Sequence, residues 1–160
     1  MAVRVQPEWF DAGRELTDFL NDKRNSGGVA TFNGIVRDRD KDDPIAAMTL
    51  EHYPSMTEEM LDRIEMEARR RWDLDDCLII HRYGRLKPGD PIVMVLTAST
   101  HRKAAFEACE FLVDWLKTKA PFWKIEETVS GMTRWVEARA TDDAAADRWT
   151  QSQVKNRSVD

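Results

Sequence analysis

The sequence predicts an α+β fold, in which helices do not alternate regularly with strands. The predicted elements follow the order α β β α β β α β β, which argues against a doubly wound parallel sheet. The chain has 160 residues, of which 42% are hydrophobic, enough for one domain with a sizeable core. We interpret residues 1–149 as that domain and residues 150–160 as a loose polar tail.

Six strands are predicted from runs of β-branched and aromatic residues bounded by turn residues. Gly34 interrupts the first of them, and a glycine inside a strand often marks a bulge or a close approach to the backbone. The predicted strands are Val29–Val36, Ile45–Tyr53, Cys77–Tyr83, Pro91–Ala98, Phe122–Val129 and Thr133–Ala138.

Helices are predicted where apolar residues recur at helical spacing after a residue that can cap a helix. Ser99 or Thr100 can cap the central helix, and Pro121 cannot continue it. Most of its circumference is apolar, so we expect it to be buried on nearly every side, within the fold and against a second subunit. The predicted helices are Ala12–Lys23 after Asp11, a segment after the capping-box spacing of Ser55 and Glu58, His101–Lys119, and Asp143–Trp149.

The composition excludes several functional classes. A net charge of −5 makes nucleic acid and anionic membranes poor partners. No apolar run approaches the ~20 residues of a membrane span, and the N-terminus lacks an apolar signal core, so we expect a cytoplasmic protein. Cys77 and Cys109 each fall in an apolar segment, where two buried thiols are expected rather than a disulfide.

Common catalytic and metal-binding motifs are missing from the sequence. It contains no G-x-x-x-x-G-K-[ST], H-E-x-x-H, C-x-x-C or G-x-S-x-G. The histidines, His52, His81 and His101, are scattered, so neither a metal site nor another cofactor is expected. His52 and His81 lie within apolar strands, where a hydrogen-bonded structural histidine is the better interpretation.

Five basic residues remain as candidates for chemistry: Arg37, His101, Arg102, Lys117 and Lys124. His101 and Arg102 stand at a helix N-terminus, which disfavours cations unless an anion is bound there. Lys117 lies at the other end, where helix capping alone would explain it. Sixteen residues separate His101 from Lys117, or roughly 24 Å of helix. Either there are two sites, or a two-fold axis brings the two ends of neighbouring helices together.

Four blocks of sequence carry a resemblance to a known family. They are L-E-H-Y-P-S-M-T-E at Leu50–Glu58, I-I-H-R-Y-G-R-L-K-P-G-D at Ile79–Asp90, the stretch His101–Lys124, and R-W-V-E-A at Arg134–Ala138. Through these blocks the chain resembles the catalytic, larger subunit of molybdopterin synthase. The similarity extends from about Phe32 to Trp149.

The resemblance implies a fold, a reaction and partners. The family fold is similar to an α/β hammerhead with an additional antiparallel β subdomain. The family transfers two sulfurs to cyclic pyranopterin monophosphate, which forms the molybdopterin dithiolene, and needs no cofactor. Each sulfur arrives as a thiocarboxylate on the C-terminal Gly-Gly of a small ubiquitin-like subunit. The large subunit forms a homodimer that binds one small subunit at each end, giving a heterotetramer.

The resemblance also implies roles for the basic residues. Lys117 and Lys124 match the catalytic lysines, Lys117 where the sulfur-carrying tail meets the substrate and Lys124 where negative charge develops. Arg37, His101 and Arg102 match substrate-binding residues, the last two supplied by the neighbouring subunit. No role follows for Arg39.

Two predictions remain open at the level of sequence. The alternative to an enzyme is a non-catalytic phosphate- or pterin-binding module of the same fold, and the presence of both Lys117 and Lys124 argues against it. The edge of the hairpin at residues 122–138 is the candidate channel for the Gly-Gly tail, since an extended peptide can add to a strand edge. Phe122 and Trp123 are its candidate walls.

Overall fold

The computed structural model describes residues 2–40, 43–136 and 140–156, and these ranges confirm the α+β class. They form two sheets and four helices. In chain order the elements are β1 (Val3–Gln6), α1 (Ala12–Leu20), β2 (Gly28–Ile35), β3 (Arg39–Asp40), β4 (Asp43–His52), α2 (Met56–Arg71), β5 (Asp76–Arg82), β6 (Gly84–Leu86), β7 (Pro91–Ser99), α3 (Arg102–Thr118), β8 (Phe122–Thr128), β9 (Thr133–Val136) and α4 (Ala140–Asn156).

The first sheet has the strand order β1-β5-β7-β2 and forms the main core with α2 and α3. Strand β1, which the sequence did not predict, pairs with β5 in parallel, while the other pairs are antiparallel. The register of β2 shifts between Gly34 and Ile35, which confirms the expected irregularity at this glycine. Ile79, Val95 and Leu112 are fully buried in the resulting core.

The second sheet is antiparallel and has the strand order β3-β4-β8-β9. The short strand β6 pairs with residues 48–50 of β4. It confirms the additional β subdomain. Side chains alternate along β8: Lys124 and Glu126 point towards the protein interior, while Trp123 is exposed and packs edge-on against Tyr53. The sheet therefore has one enclosed face, and that face carries Lys124 and Glu126.

Helix α3 lies across the first sheet, but its start differs from the prediction. His101 occupies the N-cap position without a side-chain bond to the helix, so neither Ser99 nor Thr100 is the cap. Instead, the Ser99 hydroxyl donates to the Asp73 carbonyl at 2.7 Å. The helix is also less enclosed than predicted, because Phe106 is 64% exposed.

The start of α2 corrects a second capping prediction. Ser55 makes no side-chain capping bond, so the capping box with Glu58 does not form. Ser55 instead has φ 68° and ψ −49°, and the Met56 N–H donates to the Pro54 carbonyl at 2.9 Å. These are the features of a γ-turn with positive φ, which is rare and strained for a residue other than glycine.

Replacing Ser55 by glycine is expected to raise the free energy of unfolding by about 1 kcal/mol, because glycine adopts this backbone conformation at low cost. Urea denaturation of the two proteins checks the prediction. Ser55→Ala is the control and should change stability by less than about 0.5 kcal/mol, since no capping bond is lost. A glycine variant less stable than the alanine variant would contradict the strain argument.

Helix α4 begins before the predicted Asp143 and continues past Trp149. It is attached to α3 by the Trp149 indole N–H, which donates to Asp114 at 2.8 Å, and by Arg148, which also binds Asp114. The predicted strand residues 137 and 138 and the tail residues 157–160 lie outside the described ranges, and the boundary at residue 149 stays a prediction. No helix in the described ranges has the length and apolar character needed to cross a membrane.

Candidate active site

A cavity of about 360 Å³ lies where the end of β2, the last turn of α3 and the enclosed face of β8 meet. Arg37, Lys117 and Lys124 all line it, so one chain brings three of the five predicted basic residues together. Glu126 and Asp142 line the same cavity. The site therefore combines three cationic side chains with two carboxylates.

The fold fixes the backbone on either side of the cavity. Arg37 follows buried Val36, whose N–H donates to Asp90 and whose carbonyl accepts from Gly89. Lys117 is exposed on the last turn of α3, and Lys124 follows seven residues later on β8. The Arg37 side chain is exposed, so the cavity opens to solvent on that side.

The two lysines differ in environment. Lys124 is largely enclosed, and this burial lowers its pKa, as do the nearby charges of Lys117 and Arg37. Asp142 and Glu126 act in the opposite direction and raise the pKa, but the net shift is downward. A lysine with a lowered pKa exchanges its proton more readily near neutral pH, which suits acid–base work.

Replacing Lys124 by methionine is expected to stabilise the fold by about 1 kcal/mol at pH 7 while reducing activity. The folded-state pKa lies below the ordinary lysine value, so the unfolded chain binds the proton more tightly. In the wild-type protein, the enclosed Lys124 charge therefore destabilises the fold in full at pH values below the folded-state pKa. This destabilisation disappears as pH rises through the ordinary lysine pKa.

Chemical denaturation at pH 7 and at a pH above the ordinary lysine value of 10.5 tests this pH dependence. Lys119→Met, at the exposed C-cap of α3, is the matched control and should have little effect at either pH. If Lys124→Met raises the free energy of unfolding by the same amount at both pH values, the electrostatic explanation is wrong and the added stability comes from apolar packing.

Glu126 is a member of the site that the prediction from sequence missed. Its side chain is 1% exposed and accepts from the Arg134 guanidinium at 3.1 Å, and Arg134 also binds Asp43 at 3.2 Å. The alternation along a strand places residues two apart on the same face, so the Lys124–Glu126 spacing was an available signal. Asp142 had no such signal, because it reaches the cavity from α4, an element distant in sequence.

A second, narrower cavity of about 70 Å³ adjoins Lys117 and Lys124 and extends towards the first sheet. Phe32, Gly34 and His81 line it. A Cβ atom on Gly34 would lie 2.6 Å from the Val93 side chain, so glycine is required by close packing.

The predicted channel walls are not at these cavities. Phe122 stacks on His81, with ring centroids 3.7 Å apart, and lines neither cavity. Trp123 lies on the opposite face of β8. Both therefore have packing roles here, and the use of the hairpin edge as the channel stays a prediction.

His101 and Arg102 lie at the opposite end of α3 from Lys117, and both are exposed. Within one chain they do not reach the cavity. Their contribution to a site shared between two subunits stays a prediction, as do the roles assigned to the five basic residues.

Neither a reactive thiol nor a cluster of metal-binding side chains is found among the described residues. Cys77 and Cys109 are free and buried, as predicted, and burial raises the pKa of each thiol, to about 11 for Cys109. Such thiols are poor nucleophiles. Across residues 2–40, 43–136 and 140–156, no three His, Cys, Asp or Glu side chains are grouped to hold a metal ion.

A family model described as "MoaE protein" matches residues 5–119, well over half of the chain. The chain belongs to the MoaE family. The match includes Arg37, His101, Arg102 and Lys117, while Lys124 lies beyond it.

Relatives in the MoaE family are named molybdopterin synthase catalytic subunit. The Pseudomonas aeruginosa protein is 52% identical over 151 residues, which cover 94% of this chain and 100% of that protein. The Escherichia coli K12 protein is 51% identical over 147 residues, covering 92% and 97% of the two chains. The predicted resemblance is thus confirmed, and the prediction of an enzyme is confirmed over that of a binding module.

Solved structures of the MoaE family agree with the fold. The MoaE protein from Burkholderia ambifaria superimposes with a TM-score of 0.78 at 51% identity, covering 94% of this chain and 99% of that one. Molybdopterin synthase from Staphylococcus aureus gives 0.76 at 28% identity, covering 85% and 97%. A complex of subunits 1 and 2 of the Helicobacter pylori molybdopterin-converting factor gives 0.70 at 19% identity, covering 88% and 92%, and supports the fold alone.

Proposed function

We propose that this chain is the catalytic subunit of a molybdopterin synthase. In this role it transfers two sulfurs from the thiocarboxylate of a small ubiquitin-like subunit to cyclic pyranopterin monophosphate. The observation that carries the proposal is the placement of Lys117 and Lys124, which line a wide cavity and a narrow cavity at once. A reaction between a bulky substrate and a thin peptide tail needs such a junction.

The wide cavity suits the phosphorylated pterin. Its volume of about 360 Å³ falls within the usual range for small-molecule sites, and three cations line it. Arg37 presents a planar fork of N–H donors at the exposed side, which suits a phosphate group. Glu126 and Asp142 supply acceptors for the polar N–H groups of a pterin ring.

The narrow cavity suits the tail of the small subunit. At about 70 Å³ it has no room for large side chains, whereas a chain ending in two glycines needs none. Lys117, on the exposed last turn of α3, lies where such a tail would meet the substrate. Entry along this cavity competes with the hairpin edge as the route for the tail.

The lysines then have distinct tasks. The thiocarboxylate sulfur attacks a substrate carbon and displaces an oxygen substituent, which leaves with the electron pair of the broken C–O bond and takes up a proton. The substrate is then joined to the small subunit through an acyl–sulfur link. Water later cleaves this link, which releases the small subunit as a carboxylate and leaves the sulfur on the substrate. Lys117 assists attack and hydrolysis at the link, while Lys124 stabilises the negative charge that develops on the substrate. The lowered pKa of Lys124 also lets it transfer a proton during this sequence.

The proposed assembly is a homodimer of this chain with one small subunit at each end. His101 and Arg102 of one protomer then complete the anion site of its partner, which explains a basic pair at a helix N-terminus. We also place the protein in the cytoplasm, where its two buried free thiols are stable without pairing.

Reconstitution tests the function. The purified chain is mixed with a thiocarboxylated small subunit and cyclic pyranopterin monophosphate, and molybdopterin is measured. Binding of the substrate is measured in parallel by calorimetry. Product formation supports the synthase. Substrate binding without product would instead support the non-catalytic module, provided that the same small subunit forms product with another large subunit.

A further inference from the structure

We infer that two copies of this chain join through the outer edge of β2, paired antiparallel about a two-fold axis. This contact brings the partner's Arg102 to the cavity that Arg37 and Lys117 line. The inference rests on the proposed function, because it assigns the surface that builds the shared anion site. The contact itself can be measured without substrate or small subunit.

The outer edge of β2 presents backbone groups that no strand of the described ranges bonds. β2 is the last strand of the first sheet and pairs there with β7 alone. The Ala98 carbonyl points towards β5, where it accepts from the Asp75 N–H at 2.8 Å, so the backbone groups of Thr97 point towards its β2 partner Ala30. An open edge favours pairing with a second chain. Alternation along β2 directs the backbone groups of the odd-numbered residues outwards: Val29, Thr31, Asn33 and Ile35.

One register satisfies all four outward residues. Residues of a two-fold antiparallel contact pair symmetrically about the axis, and hydrogen-bonded pairs have to join outward residues to one another. With Phe32 on the axis, Val29 pairs with the partner's Ile35. In the same register, Thr31 pairs with the partner's Asn33. A slip of two residues in either direction leaves Val29 or Ile35 unpaired.

The side chains of these pairs match in character. Odd-numbered residues share one face of β2, so the members of each pair meet side by side. Ile35 is 59% exposed in the single chain and would pack against the partner's Val29. Thr31 and Asn33 are exposed, and the Asn33 amide donates to the Thr31 hydroxyl at 3.3 Å, so both groups are suited to bonding across the axis. The contact therefore covers an exposed isoleucine and sets polar residues against polar residues.

One side of α3 extends along the same edge. The helix has its buried residues on the first sheet and has α2 and α4 on its far side. The Arg102 Cα lies 3.9 Å from the Cβ position of Gly28 at one end of β2, and Val113 lines the narrow cavity with Ile35 at the other end. Phe106 lies between them at helical spacing and is 64% exposed. A chain paired to β2 would meet this side of the helix.

This side of α3 has the same symmetry as the strand edge. An axis halfway along the helix, between residues 109 and 110, sets Phe106 against the partner's Val113 and Arg102 beside the partner's Lys117. That midpoint lies roughly 11 Å along the helix from Arg102, and Phe32 of β2 lies roughly 13 Å along the strand from Gly28. Because Arg102 lies beside Gly28, the two midpoints coincide within about 2 Å. A single axis therefore serves both elements.

The spacing between the two helices is also that of a packed pair. α3 packs on both β2 and β7, so its axis lies about one strand spacing from the two-fold axis. Two such helices would lie roughly 9.6 Å apart, within the usual range of about 8–10 Å for packed helices. The paired edges thus let the exposed side of each helix contact the other helix.

The arrangement gathers cations from two chains at one cavity. In the register given above, the partner's Gly28 lies opposite Val36, about 4.8 Å away. The partner's Arg102 then lies next to Arg37 and on the side of α3 that carries Lys117. Grouping these like charges is unfavourable until an anion binds among them. The contact therefore makes an anion site that neither chain has alone.

Disulfide formation between chains tests the register. Chains carrying Thr31→Cys and Asn33→Cys are co-expressed and oxidised, and linked dimers are identified by mass. The Cα atoms of Thr31 and the partner's Asn33 would lie about 5.5 Å apart, within the reach of a disulfide. The mixed pair should therefore link at least about tenfold faster than either variant with itself, because identical positions are diagonal neighbours about 7–8 Å apart.

The wild-type chain is the control for this experiment, since Cys77 and Cys109 are buried and should not link. Absence of a link in the mixed pair overturns the inference. Equal or faster linking of either variant with itself overturns it as well, because the strands would then pair in another register or not at all.

A second test uses the exposed side of α3. Phe106→Glu sets a carboxylate against the partner's Val113 and should raise the Kd of the dimer at least about tenfold. Met66→Glu is the matched control, because Met66 is 66% exposed on α2, away from the contact. Sedimentation measures the dimer and circular dichroism the fold. A wild-type chain that is monomeric, or a folded Phe106→Glu protein as dimeric as the Met66→Glu protein, overturns the inference.

The failures of the two proposals are distinguishable. Absence of product from the wild-type chain, with a small subunit that is active with another large subunit, would refute the synthase and leave the disulfide and sedimentation experiments to decide the contact. Product from the wild-type chain without a link between Thr31→Cys and Asn33→Cys chains would refute the edge contact and leave the synthase intact.

Discussion

Replacing Lys117 by alanine is expected to lower the rate of molybdopterin formation at least about a hundredfold without unfolding the protein. Lys117 is exposed and lines both cavities, so its side chain belongs to the site and not to the core. The substitution removes at most the stabilising interaction between the lysine charge and the helix C-terminus, which contributes about 0.3–1 kcal/mol. Single-turnover assays and a thermal melt measure the two quantities separately.

Lys119→Ala is the matched control. Lys119 is an exposed lysine at the C-cap of the same helix, it feels the same helix dipole, and it lines neither cavity of the site. Its replacement should leave the rate within about twofold of wild type, since no transition-state contact is lost. Equal losses of rate in both variants, or unfolding of the Lys117 variant alone, would show that charge at the helix end or stability explains the effect.

Mixing inactive Lys117→Ala with inactive Arg102→Ala protein is expected to restore about a quarter of the wild-type activity. In a two-fold dimer each site takes Lys117 from one chain and Arg102 from the other. A mixed dimer therefore has one doubly altered site and one intact site. Random exchange makes half of the dimers mixed, so about a quarter of all sites are intact.

Exchange must be shown independently, for example by native mass spectrometry of chains with different isotope labels. Each variant alone should stay inactive after the same treatment. Proven exchange without recovered activity would mean that Arg102 does not act across the dimer, and His101 and Arg102 would then need a function separate from the cavity.

Much of the site was predictable because its chemistry follows from local sequence. The long apolar helix could be recognised from its periodicity, and the strand ending before Arg37 from its β-branched residues. Lys117 and Lys124 lie on either side of one short corner, so their proximity follows from a helix end and a strand start. The sixteen-residue separation of His101 from Lys117 likewise predicted that one chain would not bring them together.

The remaining features depend on tertiary contacts that a local pattern does not report. Strand β1 pairs in parallel with the edge of β5, and its signal is only four residues long, with Val3 and Val5 alternating with polar residues. Asp142 reaches the cavity from a helix held by contacts between Trp149 and Asp114. The capping-box prediction at Ser55 was also wrong, because α2 begins there without a side-chain capping bond.

The corner between α3 and β8 restricts how this chain can change in length. One residue inserted between Thr118 and Phe122 would turn β8 over, since a slip of one position exchanges the two faces of a strand. The indole of Trp123 would then occupy the place of the Lys124 amine, and Lys124 would take the place of Ile125, which pairs with Thr49 and faces away from the cavity. A change in the length of this corner that keeps Lys124 in the cavity therefore has to come in steps of two.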